Sequence, residues 1–239
     1  MKAMMLAAGL GTRLKPFTDF HPKALALVNG KTLLQRNIEY LKGFGVDGII
    51  INVHHFAEQI IQFLDAHHSF GIDIQISDER DEVLETGGGL LKAKWYFEKE
   101  KTPFVLMNAD ILTQLSLSDM LRFHKEHQPL ATLAVSERKS SRHILFNDQQ
   151  QLCGWENTQT NEAVYSRHDS PLHAMAFSGI HIIEPQLFSF ITQEGKFSMV
   201  DVYLDIATKQ SILGYDHTGI ALIDAGKPES ILAAEKLFF

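Results

Sequence analysis

The sequence predicts an α/β fold: a mixed, mostly parallel sheet flanked by helices, with a smaller antiparallel part. Two patterns and one size argument predict it. Through the first half, short apolar runs at residues 3–7, 48–53, 72–76 and 104–107 alternate with helical spacing, and a strand–helix–strand rhythm requires crossovers and parallel pairing. After residue 130 the pieces shorten, with polar connections and few long helices, which suits antiparallel pairing. The 239 residues are 45% apolar and 21% charged, close to the soluble globular average and too apolar for a disordered chain.

The elements follow in order. Residues 3–7 belong to an apolar start that superficially looks like a leader segment, but Gly9 and Gly11 break it and Arg13 and Lys15 follow, so it reads as a buried first strand. Continuous rather than alternating hydrophobicity marks this run and the next as strands covered on both faces. Leu33, Leu34, Asn37, Ile38 and Leu41 share a helical face up to Gly43 and Gly45, and Phe56, Ile60, Ile61 and Leu64 do the same before Gly71. Later strands are expected at 131–135, 144–146, 152–155 and 176–183. The polar stretch 156–170 is expected to be a mobile loop, and a helix over 227–237 closes the chain. No repeat, low-complexity segment or long linker interrupts the pattern, so residues 1–239 read as one Rossmann-like domain.

Composition excludes several functions. With 29 Asp+Glu against 22 Lys+Arg, the net charge of −7 repels polyanions, and nucleic acid is not an expected partner. No apolar run approaches the roughly 18 residues a membrane span requires, so no membrane partner is expected either. The single cysteine, Cys153, can form neither an internal disulfide nor a multi-thiolate zinc site; it reads as a small buried apolar residue in a cytoplasmic protein. Among the twelve histidines, His54-His55 and His67-His68 are adjacent pairs, which on a strand point to opposite faces and cannot share a metal.

Phosphate chemistry is suggested where the first strand ends. Leu6-Ala7-Ala8-Gly9-Leu10-Gly11-Thr12-Arg13-Leu14 lets backbone N–H groups approach a ligand and supplies a cation. It is not a Walker A loop, and the dinucleotide fingerprint fails because Leu14 holds the third glycine position, while the second strand ends in Val53, His54 and His55 without a ribose-binding acid. A nicotinamide oxidoreductase is thereby disfavoured. Lys23 follows the stiffening Pro22, and Asp110 lies just past the strand at 104–107, at the carboxyl edge where open parallel sheets place ligands.

Together these segments resemble the sugar-nucleotidyltransferase superfamily, whose first motif, Leu-Ala-Ala-Gly-x-Gly-Thr-Arg-Leu-x-Pro followed by Pro-Lys, is met from Leu6 through Pro16 to Pro22-Lys23. The resemblance continues in order through Glu85-Thr86-Gly87-Gly88-Gly89, Asn108-Ala109-Asp110, Phe177-Ser178-Gly179-Ile180 and Ile223-Asp224-Ala225-Gly226. The short length and the segment from Leu84 to Gly89 look most like the N-acetylmuramate 1-phosphate uridylyltransferases of peptidoglycan recycling. Mannose- and heptose-1-phosphate guanylyltransferases carry a similar Thr-Gly-Gly run, and phosphate-cytidylyltransferases share the first motif.

The resemblance implies Mg²⁺-dependent transfer of a nucleotidyl group from a nucleoside triphosphate, expected to be UTP, to a sugar 1-phosphate. Residues 1–129 would form the nucleotide-binding part, and residues 130–239 the sugar-binding part and closing helix. Leu6, Ala7, Ala8, Gly9, Gly11 and Thr12 would line the nucleotide, with amides from Ala8 to Thr12 cradling the triphosphate. Arg13 would hold the β- and γ-phosphates, and Lys23 the α-phosphate or the sugar phosphate. Asp110 and Asp224 would hold magnesium. A turn at Thr86, Gly87 and Gly88 would read the base through backbone groups, and Asn108, Ser178 and Gly179, the last two opening a later strand, would face the sugar. The Glu-Lys-Pro segment with which longer relatives bind the sugar phosphate is missing, leaving Arg142 or Arg167 as substitutes unless the short subfamily manages without it. Asp201 and Asp205 are read equally as structural or sugar-proximal. The rival from another class, a non-catalytic nucleotide-sugar sensor, has no need of both carboxylates.

Overall fold

The continuous apolar runs of the first half become the parallel core of a sheet, as burial on both faces requires. The computed structural model describes residues 1–238. The chain forms β1 (Lys2–Leu6), a hairpin of β2 (Leu27–Val28) and β3 (Lys31–Thr32), α1 (Leu33–Gly43), β4 (Gly48–Val53), α2 (Ala57–Ala66), β5 (Asp73–Asp78), α3 (Glu85–Lys92), α4 (Lys94–Phe97) and β6 (Phe104–Asn108). It continues through β7 (Ile111–Thr113), α5 (Leu117–His127), β8 (Ala131–Ser136), β9 (Arg142–Phe146), β10 (Leu152–Asn157), β11 (Glu162–Tyr165), β12 (His173–Ile183), α6 (Met199–Ile206), β13 (Ile212–Asp216), β14 (Leu222–Asp224) and α7 (Pro228–Leu237).

Ten strands share one sheet in the order β11-β10-β9-β12-β6-β1-β4-β5, with β8 paired to β12 and β13 to β8. β5, β4, β1 and β6 are parallel, whereas β12 runs antiparallel to β6, β8 and β9. From β1 the chain moves outward to β4 and β5, then returns to β6 on the other side. The strand order therefore reverses between β1 and β6, and a crevice opens at their carboxyl ends.

Alternation of side chains divides the sheet between two cores. Met4, Ile50 and Leu106 pack with Leu90, Phe97, Met199 and Val202 from α3, α4 and α6. Met5, Ile51 and Met107 pack with Leu34, Ile38, Ile60 and Met120 from α1, α2 and α5. Each fully buried side chain of this size contributes roughly 1.5–3 kcal/mol, so the two layers fix the sheet rigidly behind the crevice. No helix among the described residues is long and apolar enough to cross a membrane.

Two expectations are corrected. Residues 156–170 are not a loop throughout: β10 runs to Asn157 and β11 pairs antiparallel with it. All four residues of β11 are exposed, so no apolar periodicity betrays the strand. Ser178 and Gly179 lie in the middle of β12 rather than at its start, where Gly179 takes φ +71° and the register against β8 shifts.

One buried pair gives the fold a pH dependence. His181 Nδ1 lies 2.7 Å from the Tyr203 hydroxyl, and burial pushes the imidazole pKa down to about 3. A depressed folded value means that His181 adds stability above its unfolded pKa of about 6.5, and that this is lost as pH falls toward 3. Between pH 6.5 and 4 the fall in Tm should therefore be shallower for His181→Gln than for the parent; parallel curves would refute the assignment.

Candidate active site

The crevice between β1 and β6 is stitched together by backbone and amide contacts before any charged group enters it. The Ala109 amide donates to the Leu6 carbonyl at 3.0 Å, and Asn37 Nδ2, from α1, donates to the Ala109 carbonyl at 2.8 Å. The loop after β1 is held from the other side, since the Ala7 and Ala8 amides donate to Asn52 Oδ1 at 2.7 and 3.3 Å. Ala8 therefore does not offer a free amide to a phosphate. Beyond the crevice, β7 pairs antiparallel with β14 so that Asp224 stands opposite Ile111, and the Ala225 amide donates to the Asp110 carbonyl at 2.8 Å. Two carboxylates far apart in sequence are brought side by side by this three-residue ladder.

Two cations meet them. Lys23, in the tight turn Lys23–Leu25 after Pro22, ion-pairs with Asp110, and its Nζ lies 3.8 Å from Asp224 Oδ1. Arg13 Nη2 lies 3.5 Å from Asp224 Oδ2. The lysine side chain is only 13% exposed whereas that of Arg13 is 56% exposed, so Lys23 is held between the carboxylates and Arg13 can extend toward a ligand. Asp224 Oδ1 is buried and has no hydrogen-bond partner.

At Asp110 this quartet joins a cavity of about 350 Å³ lined by Leu6, Ala8, Gly9, Asn52, Glu79, Val83, Glu85, Thr86, Asn108, Asp110 and Ser198. Of the residues singled out in the sequence, Leu6, Ala8, Gly9, Thr86, Asn108 and Asp110 line it. A separate cavity of about 230 Å³ beside Asp148, His173 and Asp216 contains none of the expected residues.

The glycine run is different from its expected form. It opens α3 rather than making a turn, and the Gly87 and Gly88 amides donate to the Phe197 carbonyl at 2.9 and 3.3 Å. A Cβ on Gly87 would lie 2.4 Å from the Phe197 ring, and one on Gly88 would lie 2.2 Å from the Gly195 carbonyl oxygen. These glycines let α3 close on residues 195–197, and their amides are not available to read a base. Thr86 remains at the cavity, its Oγ1 accepting from the Met199 amide at 2.9 Å.

On the sugar side, Ser178 is fully buried with Oγ 2.8 Å from His217 Nε2, so its side chain does not face the cavity. Gly179 stands against Asn108: a Cβ there would lie 2.7 Å from Asn108 Nδ2. Asp201 completes a capping box at the start of α6 with Ser198, and Asp205 accepts a hydrogen bond from Gln193 Nε2.

Three residues were missed by sequence reasoning. Arg138 Nη2 donates to the Phe177 carbonyl at 2.6 Å, and the guanidinium lies within the attraction of Asp224. Asn52 and Glu79 are buried in the cavity wall and hydrogen-bonded to each other. Asn52 left one signal, a lone amide in the apolar run of β4.

A switch-point crevice with a small-residue loop on one strand and paired charges beside the next is where open α/β sheets place their ligands. Residues 2–145 match the family model described as Nucleotidyl transferase, and the chain belongs to that family, within the sugar-1-phosphate nucleotidyltransferase superfamily. It is 30% identical over 245 residues to the N-acetylmuramate alpha-1-phosphate uridylyltransferase of Caulobacter vibrioides, covering 98% of this chain and 95% of that one. It is 26% identical over 241 residues to a mannose-1-phosphate guanyltransferase of Yarrowia lipolytica, covering 100% of this chain but 64% of that one, so it spans just under two thirds of that longer relative. Among solved structures, HddC from Yersinia pseudotuberculosis shares the fold with a TM-score of 0.77 at 24% identity, over 100% of this chain and 99% of the other.

Proposed function

We propose that this chain transfers a uridylyl group from UTP to N-acetylmuramate 1-phosphate in the cytoplasm, releasing pyrophosphate. The observation that carries the reading is the meeting of Arg13, Lys23, Asp110 and Asp224 beside the cavity. A phosphate oxygen of the sugar attacks the α-phosphorus; the bond from that phosphorus to the bridging oxygen breaks, and pyrophosphate leaves with the electron pair. The acceptor, with a second pKa of about 6, is mostly dianionic at neutral pH and needs no general base. What the protein must supply is position and charge.

Arg13, free to extend, takes the β- and γ-phosphates, and Lys23 takes the α-phosphate or the sugar phosphate. Arg138 supplies the third cation in place of Arg142 or Arg167. Arg138 is preferred to them because its guanidinium lies within the attraction of Asp224. Asn108, braced by Gly179, faces the sugar.

Asp110 and Asp224 fit magnesium. Both offer hard oxygen donors, Asp224 Oδ1 lacks any hydrogen-bond partner, and a cationic ammonium already contacts the two carboxylates. Magnesium takes one or two carboxylates and completes its shell with phosphate oxygens and water. When bound, the ion would neutralise charge on the phosphate oxygens.

The choice of UTP is supported by the whole-length uridylyltransferase relative, and the guanyltransferase relative supports GTP with mannose or heptose 1-phosphate as the second reading. A site that hydrogen-bonds one base leaves buried groups unpaired with another, at a cost of about 1–3 kcal/mol per lost partner. With N-acetylmuramate 1-phosphate, UTP should exceed GTP in kcat/KM by on the order of 10-fold or more. Pyrophosphate release over four triphosphates and several sugar 1-phosphates checks this: a GTP preference moves the assignment to the second reading, and no release from any pair leaves the sensor.

A further inference from the structure

The loop that opens the nucleotide cavity leaves β1 after Leu6, and its first two amides are held by one side chain. Asn52, at the carboxyl end of β4 and 2% exposed, takes the Ala7 and Ala8 amides on Oδ1. Its Nδ2 donates to Glu79 Oε1 at 2.7 Å. Glu79, fully buried just past β5, also accepts the Leu84 amide on Oε2 at 3.3 Å, in the turn that leads into α3. One amide and one carboxyl thus connect the loop wall of the cavity to its α3 wall, and both line the space between. α3 is seated on this pair, because a Cβ on Gly89 would lie 2.7 Å from Glu79 Oε1 and 2.9 Å from Asn52 Nδ2.

Burying a carboxyl is costly, and here burial holds Glu79 above the ordinary carboxylate range despite its hydrogen bonds from Asn52 and Leu84. An apolar pair could fill the same volume but could not hold two amides of a ladderless loop. We infer that Asn52 and Glu79 are positioning residues that set the separation of the phosphate loop from α3, and with it the grip on the triphosphate. The inference rests on the cavity being the nucleotide site.

The donor and acceptor pattern permits a compensated exchange. Asn52→Asp sets a carboxylate against a carboxylate. Glu79→Gln leaves one acceptor oxygen for two donors. In the double variant the new carboxylate still accepts the loop amides, and the new side-chain amide donates to it while accepting from Leu84, so every bond is restored. Each single variant should raise KM for the triphosphate by about 10-fold, the effect of one buried hydrogen bond lost, with little change in KM for the sugar phosphate. The double variant should return to within about 3-fold of the parent. Hydrogen exchange at the Ala7, Ala8 and Leu84 amides, read without substrate, should quicken in each single variant and recover in the double. Single variants with parental KM and exchange, or a folded double variant no better than either single, would overturn the inference alone. A parent protein that binds no nucleoside triphosphate would overturn the nucleotide-site reading and this inference with it.

Discussion

Asp110→Asn should lower kcat by at least about 10²-fold while leaving the protein folded, because the magnesium ion proposed at Asp110 and Asp224 would be asked for several kcal/mol of charge stabilisation and each 1.36 kcal/mol is tenfold in rate. The substitution preserves the shape of the side chain. It also spares the backbone contact that aligns β7 with β14, since the Ala225 amide binds the Asp110 carbonyl and not its carboxylate. What it removes is one of two charges facing Lys23. Turnover measured against magnesium concentration, alongside Tm, separates the effects: kcat should stay low at saturating ion. Full activity of the parent in excess chelator would remove the metal from the reaction altogether.

Lys23→Ala should reduce kcat/KM by about 10²- to 10³-fold, the range for loss of one donor aimed at developing transition-state charge. The structure adds a signature that a merely structural lysine would not give. Lys23 separates Asp110 from Asp224, so its removal leaves two like charges facing one another without their shared cation. Magnesium should consequently raise the Tm of the variant more than that of the parent. A variant that loses Tm and activity in proportion, with no added response to magnesium, would make Lys23 a packing residue.

Much of the parallel half was legible because β1, β4 and β6 are buried on both faces and hence continuous in hydrophobicity; residues 48–53 coincide with β4. The charged quartet was legible too, since Arg13, Lys23, Asp110 and Asp224 each follow a short-range signature and the sheet brings them to one edge. What escaped has physical reasons. α3 carries three successive glycines after Glu85 and Thr86, which intrinsic propensity assigns to a turn, but close packing of Gly87 and Gly88 on residues 195–197 and of Gly89 on Asn52 and Glu79 outweighs the roughly 1 kcal/mol that each costs in a helix. β11 is exposed along its length and carries no pattern. Ser178 is expected from its motif to face the sugar, yet it is buried beside the break at Gly179 with its hydroxyl on His217. Glu79 and Arg138 belong to no motif, and their partners come from distant parts of the chain.

The length of β12 has a consequence for how this architecture can diversify. Its eleven residues pair with β9 through His173 to Met175, with β6 through Ile180 to Ile183, and with β8 through Ala176 and Phe177 and again through His181 to Ile183, so a single strand belongs to the parallel and antiparallel halves at once. A fragment cut before β8 would bare the hydrogen-bonding edge of β6 along an apolar strand, a template for aggregation rather than an autonomous module. Wholesale exchange of the second half between relatives is therefore blocked by the shared strand. Among the described residues no strand of the β9, β10 and β11 arm pairs with β5, β4, β1 or β6, but Ile144, Phe146 and Leu152 anchor its base in the core beside α6, so only its exposed outer end, β11 and the turn before it, can be lengthened or trimmed while the parallel strands keep their register.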